Sequence, residues 1–438
     1  MSAAPSPQPA SPFSLRSYYR LVRDNANFRR LWLAQIVSEL GDWIYWVAIC
    51  DLVLRLTGSA QRIGVVVVLQ ILPEFFLGPT AGAVNDRVSR RAVMIAADLA
   101  RALIVLGMLV IQAREQLWIL YLLLIGEVAS ASFFEPGRTA VIPNIVEERE
   151  TLEANALSAS TWSFNLAVGA GLGGMLVYLL GRRAAFVVNS LSFLASALLI
   201  SRMRFPETHL KAGSRPPWME ILGLAPIVEG FRYVRGDPRL VSLLLLKFGL
   251  GLLGANLVLL PIMGSREFQL GGEGVLGMSA LFMFRGVGAV IGPLIGGRLA
   301  GGSERRMRLG VLAGFLAAGV FYLLFSRAPS LALASACVVG AHAGGSLIWV
   351  FSTTLLQLNS EDRFRGRVFA ADFGLNTLSA SLSAFATGLA LDHGVQPRRA
   401  ALALGAAMFL PALAWSWAMR LWPSSGPGYA AGRDSRPV

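Results

Sequence analysis

The sequence predicts an all-α polytopic membrane protein with twelve transmembrane helices arranged as two parallel six-helix repeats. Three observations predict it. Apolar residues make up 55% of the 438-residue chain, charged residues only 15%, and the mean hydropathy is +0.58, well beyond an ordinary soluble domain. About a dozen apolar runs, each close to the roughly 20 residues a bilayer core demands, are separated by short polar turns. Finally, a glycine-proline motif recurs at one fixed offset. Gly78-Pro79-x-x-Gly82 returns as Gly292-Pro293-x-x-Gly296, 214 residues later, and both copies run into arginine-rich turns.

In order along the chain, residues 1–30 are Pro- and Ser-rich at the start and lack the apolar stretch of a secretory signal, so they read as a flexible cytoplasmic tail. The expected spans lie at roughly 31–54, 60–84, 92–112, 117–137, 154–180 and 184–201, which form an N-terminal six-helix bundle over 31–201. Residues 202–238 break the rhythm with Arg215-Pro216-Pro217 and an amphipathic segment from Trp218 to Arg235, and read as a cytoplasmic linker. A C-terminal bundle over 239–421 follows, with spans at roughly 239–263, 274–297, 308–326, 330–356, 368–391 and 399–421, and then a cytoplasmic tail over 422–438.

Basic residues orient the chain. With the N-terminus inside, the inner segments hold 27 of the 39 Lys and Arg residues, the outer turns hold 9, and Arg101, Lys247 and Arg285 lie within spans. Both termini are therefore expected in the cytoplasm, with the chain in a bacterial inner membrane. The same placement accounts for the net charge of +13. The excess faces the anionic leaflet, so no nucleic-acid partner is needed. Cys50 and Cys337 sit in apolar runs and suit neither a disulfide framework nor a metal site.

No catalytic engine is visible. Lys211 and Lys247 are followed by Ala212 and Phe248, so a phosphate-binding Gly-Lys-Ser/Thr loop is absent. There is no His-Glu-x-x-His or Gly-x-Ser-x-Gly, and His209, His342 and His393 are far apart. Neither an enzyme, a metal nor a cofactor is expected, and an ion or substrate gradient must supply the energy.

Ionisable residues inside spans cost about 2.5 to 3.5 kcal/mol near mid-membrane, so each needs a polar neighbour or a function. In the first span Gln35, Glu39, Asp42 and Trp46 follow at spacings of four, three and four, which places them on one helical face, expected to look into a central cavity. A carboxyl at Asp42 could carry a coupling proton or fix packing through hydrogen bonds. Glu127 in the fourth span and Lys247 in the seventh are candidates for an ion pair across the repeats. His342 and Trp349 in the tenth span are cavity candidates as well. Asp98 and Arg101, three apart, can neutralise each other as a structural pair. Glu74, Arg285 and Asp372 are left unassigned.

The loop Gly82-Ala83-Val84-Asn85-Asp86-Arg87-Val88-Ser89-Arg90-Arg91 resembles the cytoplasmic signature between helices 2 and 3 of the major facilitator superfamily, with Ser89 where a second glycine is usual. Further stretches are similar to the branch containing the enterobactin exporter and the macrolide efflux proteins. They include Asn27-Phe28-Arg29-Arg30-Leu31-Trp32, Leu56-Thr57-Gly58-Ser59-Ala60, Asp98-Leu99-Ala100-Arg101-Ala102 and Arg365-Gly366-Arg367-Val368. The resemblance implies the major facilitator fold and a secondary exporter of an amphipathic small molecule, such as a siderophore or macrolide-like compound, commonly driven by proton antiport. It implies that helices 1, 4, 7 and 10 line the cavity, and that Gly82, Asp86, Arg87, Arg90 and Arg91 form a conformational latch that does not touch cargo. The helix-5 stretch Gly169-Ala170-Gly171-Leu172-Gly173-Gly174 keeps the glycines of superfamily exporters but has Ala170 where proline is common. The expected partners are a small-molecule substrate, protons and the lipid bilayer, with the chain working as a monomer. Two other readings stand beside this one: a lipid or lysophospholipid flippase, and a non-transporting receptor or assembly partner docked through Trp218 to Arg235.

Overall fold

The computed structural model describes residues 15–207, 210 and 232–422. The amphipathic part of the expected linker and the C-terminal tail lie outside these residues, apart from the few between 232 and 235. Every regular element among the described residues is a helix, with one isolated bridge between Leu270 and Glu273.

The expected tail is partly structured. Helix α1, Leu15–Asp24, packs against α2, Ala26–Thr57, and against α6. Asn25 caps α2, its side chain accepting from the Phe28 amide at 2.9 Å, and the chain leaves α2 through Gly58 in the left-handed region. The first half continues with α3 (Ala60–Asn85), α4 (Arg90–Gly107), α5 (Leu117–Ile145), α6 (Thr151–Leu180) and α7 (Arg182–Ser201). Ser89, the departure from the superfamily loop pattern, caps α4 by accepting from the Ala92 amide at 3.1 Å. A glycine there could not make that bond. Helix α5 runs eight residues past the expected end, through Pro136 and Pro143, because neighbouring helices in a bundle re-satisfy the backbone groups a proline frees.

The second half begins with α8 (Pro238–Gly251) and α9 (Asn256–Arg266), one span interrupted by a 3₁₀ turn at Leu252–Ala255. There follow α10 (Gly274–Ala300), α11 (Glu304–Phe325), α12 (Leu331–Asn359), α13 (Asp362–Asp392), and α14 (Pro397–Ala407) with α15 (Phe409–Ala418) as the last interrupted span. Among the described residues, ten segments are long and apolar enough to cross a bilayer. The other two of the expected twelve, α2 and α13, are long but more polar: α2 carries Glu39, Asp42 and Asp51, and α13 carries Arg365, Arg367 and Asp372. Their polar residues are accommodated by packing. Helix α2 lies against α6 and α7, and α13 against α3 and α8.

Two helix pairs make the main joint between the halves, and small residues set their separation. On one side α6 meets α10, where Ser279 donates to the Ala170 carbonyl and Gly286 lies against the Ala167 backbone. On the other, α3 meets α13, with Gly64 against Ala384 and Gly388 against Ala60 and Gln61. Close backbone approach is how membrane helices associate when lipid is as apolar as their own side chains. Polar contacts across this seam gather at the end carrying the α2–α3, α9–α10 and α13–α14 connections. There Arg266 donates to the Gly58 carbonyl at 2.6 Å and Arg55 reaches Glu273 at 3.8 Å. The Asp392 carboxylate accepts from the Ala60 and Gln61 amides at 2.8 and 3.2 Å and from the Ser59 hydroxyl, so a side chain of one half caps the first turn of a helix in the other.

Two outcomes follow for stability. A Cβ at Gly388 would sit 2.6 Å from the Ala60 carbonyl oxygen. Gly388→Val is therefore expected to cost about 1–3 kcal/mol by overpacking, read as a lower thermal midpoint in detergent. In the buried Asp98–Arg101 pair, Arg101→Leu alone leaves a buried carboxylate without its partner and is expected to cost about 3–5 kcal/mol, with the double change to apolar residues costing less. Unfolding in mixed micelles measures both.

Candidate functional site

The first half builds its polar interior from five helices, α2, α4, α5, α6 and α7. The Gln35, Glu39, Asp42, Trp46 face of α2 does not look into one cavity as expected, since its members are drawn to different neighbours. Gln35 donates to Glu39 at 2.8 Å and to the Ser158 carbonyl at 3.0 Å, and Asn165 of α6 donates to the other Glu39 oxygen at 3.0 Å. Asp42, three residues on, turns toward α7 and accepts from Asn189 at 3.4 Å. Trp46 turns toward the second half and packs edge-on against Phe282 of α10, with ring centroids 6.1 Å apart. A face that spans about 100° meets three helices here, which is why spacing alone misplaced it.

Arg101 of α4 is the electrostatic centre of this half. It pairs with Asp98 on the same helix, and its guanidinium is sandwiched between the Phe134 and Phe193 rings at 4.7 and 4.2 Å. The carboxyls of Asp42 and Glu127 also act on it electrostatically, and Glu74 acts on Glu127. Carboxyls of α2, α4 and α5 therefore act on one buried guanidinium, with Asp98 alone in direct contact. Nearer the loop end of α5, Arg138 bonds Glu135 at 2.7 Å and Gln35 at 3.2 Å, tying Glu39's neighbour to the same helix.

In the second half the structure pairs Lys247 with Asp372, not with Glu127. The Lys247 ammonium on α8 is fully buried, donates to the Thr353 hydroxyl at 2.9 Å, lies 3.5 Å from an Asp372 oxygen and sits 3.5 Å from the Trp349 ring centroid. The sequence carried a signal for this that went unused: Asp372 is the one acidic residue within the last six expected spans. His342 meets the Tyr322 hydroxyl at 3.0 Å, a contact between α12 and α11. Arg285 is different. Its Nε and Nη1 are enclosed and have no hydrogen-bond partner among the described residues, and its guanidinium carbon lies 5.9 Å from the ring centroids of both Trp43 and Phe282. Cation–π contact at that range offsets only part of the about 2.5 to 3.5 kcal/mol that an arginine costs at mid-membrane.

The residues expected to form a latch gather where α3, α5 and α7 end and α4 begins. The Asp86 carboxylate, largely exposed, lies 3.7 Å from Arg90, which donates to the Ala140 carbonyl of α5 at 2.9 Å. Arg91 donates to the Ser201 carbonyl of α7 and its amide donates to Glu207 at 3.2 Å. Gly82 accepts the Asp86 amide at the end of α3. The residue before the aspartate, Asn85, was overlooked. Buried, it donates to the Ala81 and Phe133 carbonyls, both at 2.9 Å, and so locks the end of α3 onto α5. In the second copy of the motif, Gly292 lies against the Ala343 backbone of α12, a packing role.

Comparison with known proteins agrees with this architecture. Among solved structures the chain resembles a nucleoside transporter, NupG, with a TM-score of 0.71 at 11% identity over 89% of this chain and 99% of that one. It resembles a bacterial homologue of the human lysosomal transporter Spinster with a TM-score of 0.69 at 14% identity, over 94% of this chain and all of the other. In sequence it is 24% identical over 374 residues to macrolide efflux protein A of Streptococcus pyogenes, covering 84% of this chain and 89% of the relative. It is also 24% identical over 380 residues to the MFS-type transporter YfiS of Bacillus subtilis, covering 83% and 86%. The profile of the Major Facilitator Superfamily matches residues 31–384, and the chain belongs to that superfamily as a membrane transporter, not an enzyme.

Proposed function

We propose that the chain is a proton-coupled exporter of an amphipathic small molecule, lying in a bacterial inner membrane with both termini cytoplasmic and working as a monomer by alternating access between two six-helix bundles, residues 31–201 and 239–421. The observation that carries the reading is the buried Asp98–Arg101 pair, with the carboxyls of Asp42 and Glu127 enclosed in the same helix bundle and acting on Arg101 electrostatically. In a low-dielectric interior one guanidinium balances one carboxylate, so this set approaches neutrality only when the other two carboxyls hold protons. Asp98 is committed to Arg101 by direct contact, which leaves Asp42 and Glu127 as the groups that load and release protons. They lie on α2 and α5, two of the helices expected to line the path. Loss of a proton from either strengthens its attraction to Arg101 on α4 and so alters how these helices sit together.

The seam contacts support a conformation closed at the outer end. The Arg55–Glu273, Arg266–Gly58 and Asp392–Ala60 contacts all lie on the side assigned to the exterior by the arginine distribution. At the cytoplasmic end α6 exposes Trp162 and Phe164, and α10 exposes Leu294, Ile295 and Leu299. The Asp86, Arg87, Arg90 and Arg91 loop sits at that same end, where a latch between the bundles would have to engage. Export as the direction rests on the similarity to a protein named for macrolide efflux.

Reconstitution in liposomes with an imposed pH gradient tests the coupling, using a labelled macrolide and a labelled siderophore as probes. Gradient-driven accumulation is expected to fall at least tenfold in Asp42→Asn and in Glu127→Gln, with downhill equilibration retained. Accumulation that ignores both the gradient and Asp42→Asn overturns proton coupling. Labelled lysophospholipid crossing faster than in protein-free vesicles, with neither probe transported, replaces the exporter reading with a flippase.

A further inference from the structure

We infer that Arg285 is the anion-recognising group of the cargo site, and that the cargo is an aromatic or otherwise planar apolar molecule carrying one carboxylate. The inference rests on the exporter reading, since it names what meets Arg285 on the path between the halves. Three basic residues lie well away from the ends of the expected spans, and the fold answers two of them: Arg101 is held by Asp98 and Lys247 by Asp372. Arg285 makes no ion pair and no hydrogen bond among the described residues, although its Nε and Nη1 are enclosed. The titratable groups that bear on it are Tyr322 and His342, which are bonded to each other, and no carboxylate faces it. The last six expected spans contain a single carboxylate, Asp372, and Lys247 has taken it.

The position of Arg285 on α10 says what its partner must be. Successive faces of this helix are already occupied. Ser279, Met283 and Gly286 meet α6, while Gly288 and Gly292 meet α12. Phe282 and Arg285 are left on the face toward α2 of the other half, where Phe282 meets Trp46 and the guanidinium lies by Trp43. Trp43 in turn packs edge-on against Trp162 of α6, which is partly exposed. The unpaired cation thus stands on the seam that alternating access opens and closes, walled by rings from both halves. A guanidinium presents paired N–H donors in a plane and matches a carboxylate in two parallel bonds, while Trp and Phe faces take a planar apolar body. A ligand that supplies both satisfies the cation and fills the aromatic wall together.

Isothermal titration of the full-length protein in neutral detergent tests this with two near-isosteric probes, 1-naphthylacetate and 1-naphthylacetamide. The carboxylate is expected to bind at least tenfold more tightly than the amide. Arg285→Gln is expected to erase that preference while leaving amide affinity within about twofold, and Arg285→Lys to restore part of it. Thermal midpoints of the three proteins separate misfolding from lost recognition. Equal affinity for the two probes in the unaltered protein overturns the inference, as does an undiminished preference in Arg285→Gln. Adding phosphatidylglycerol to the micelles distinguishes the source of the anion. Loss of carboxylate binding in the unaltered protein, with no such competition in Arg285→Gln, assigns the site to a lipid headgroup and overturns the cargo assignment. Because no gradient is present, equal binding of both probes beside intact gradient-driven transport sinks this inference alone. Charge-selective binding without gradient-driven transport sinks the coupling reading alone.

Discussion

The buried pair of Asp98 and Arg101 organises the first half of this transporter, because a charge in a bilayer interior is tolerated only where another group answers it. Arg101 does more than neutralise its helical neighbour. The Phe134 and Phe193 rings hold it from α5 and α7, and the Asp42 and Glu127 carboxyls bear on it from α2 and α5. Four of the six helices are thereby referred to one guanidinium. A group placed so centrally communicates any change in the charge of its neighbours to the packing of the whole half.

The two halves handle charge in opposite ways. The interior of the first is rich in carboxyls, with Glu39, Asp42, Glu74, Asp98, Glu127 and Glu135 against Arg101 and Arg138. The second has Lys247 and Arg285 against Asp372 alone. Groups suited to holding protons therefore collect on one side of the seam, and a cation suited to holding an anion collects on the other. Between them lies the aromatic wall of Trp43, Trp46, Phe282 and Trp162, which belongs to neither half by itself. In the alternating access proposed above, rocking one half against the other would change the separation of these two chemistries without requiring either to be rebuilt.

Much of this was legible in the chain. Hydropathy marks the spans because water is absent from the bilayer core and each helix must satisfy its own backbone. The two helices that fall short of the apolar measure, α2 and α13, do so because their polar residues face other helices instead of lipid. The Asp98–Arg101 contact was readable as well, because residues three apart on a helix are neighbours whatever surrounds them. The resemblance implies a cavity shared between the halves, which makes Glu127 a candidate partner for Lys247 without fixing a contact. Helix α13 instead delivers Asp372 to Lys247 within the second half.

By itself the sequence determined the helical membrane architecture, the superfamily, the local ion pair and the inventory of intramembrane charges, all of which depend on periodicity, composition or short separations along the chain. Only the tertiary structure decided which helix each member of the α2 face meets, that Lys247 belongs to Asp372, that Asp392 caps a helix of the other half, and that Arg285 is left without a hydrogen-bonding or ionic partner among the described residues. Those outcomes depend on how helices rotate about their axes and where distant turns come to rest. A rotation of a single residue step, about 100°, is enough to move a side chain from one neighbour to another.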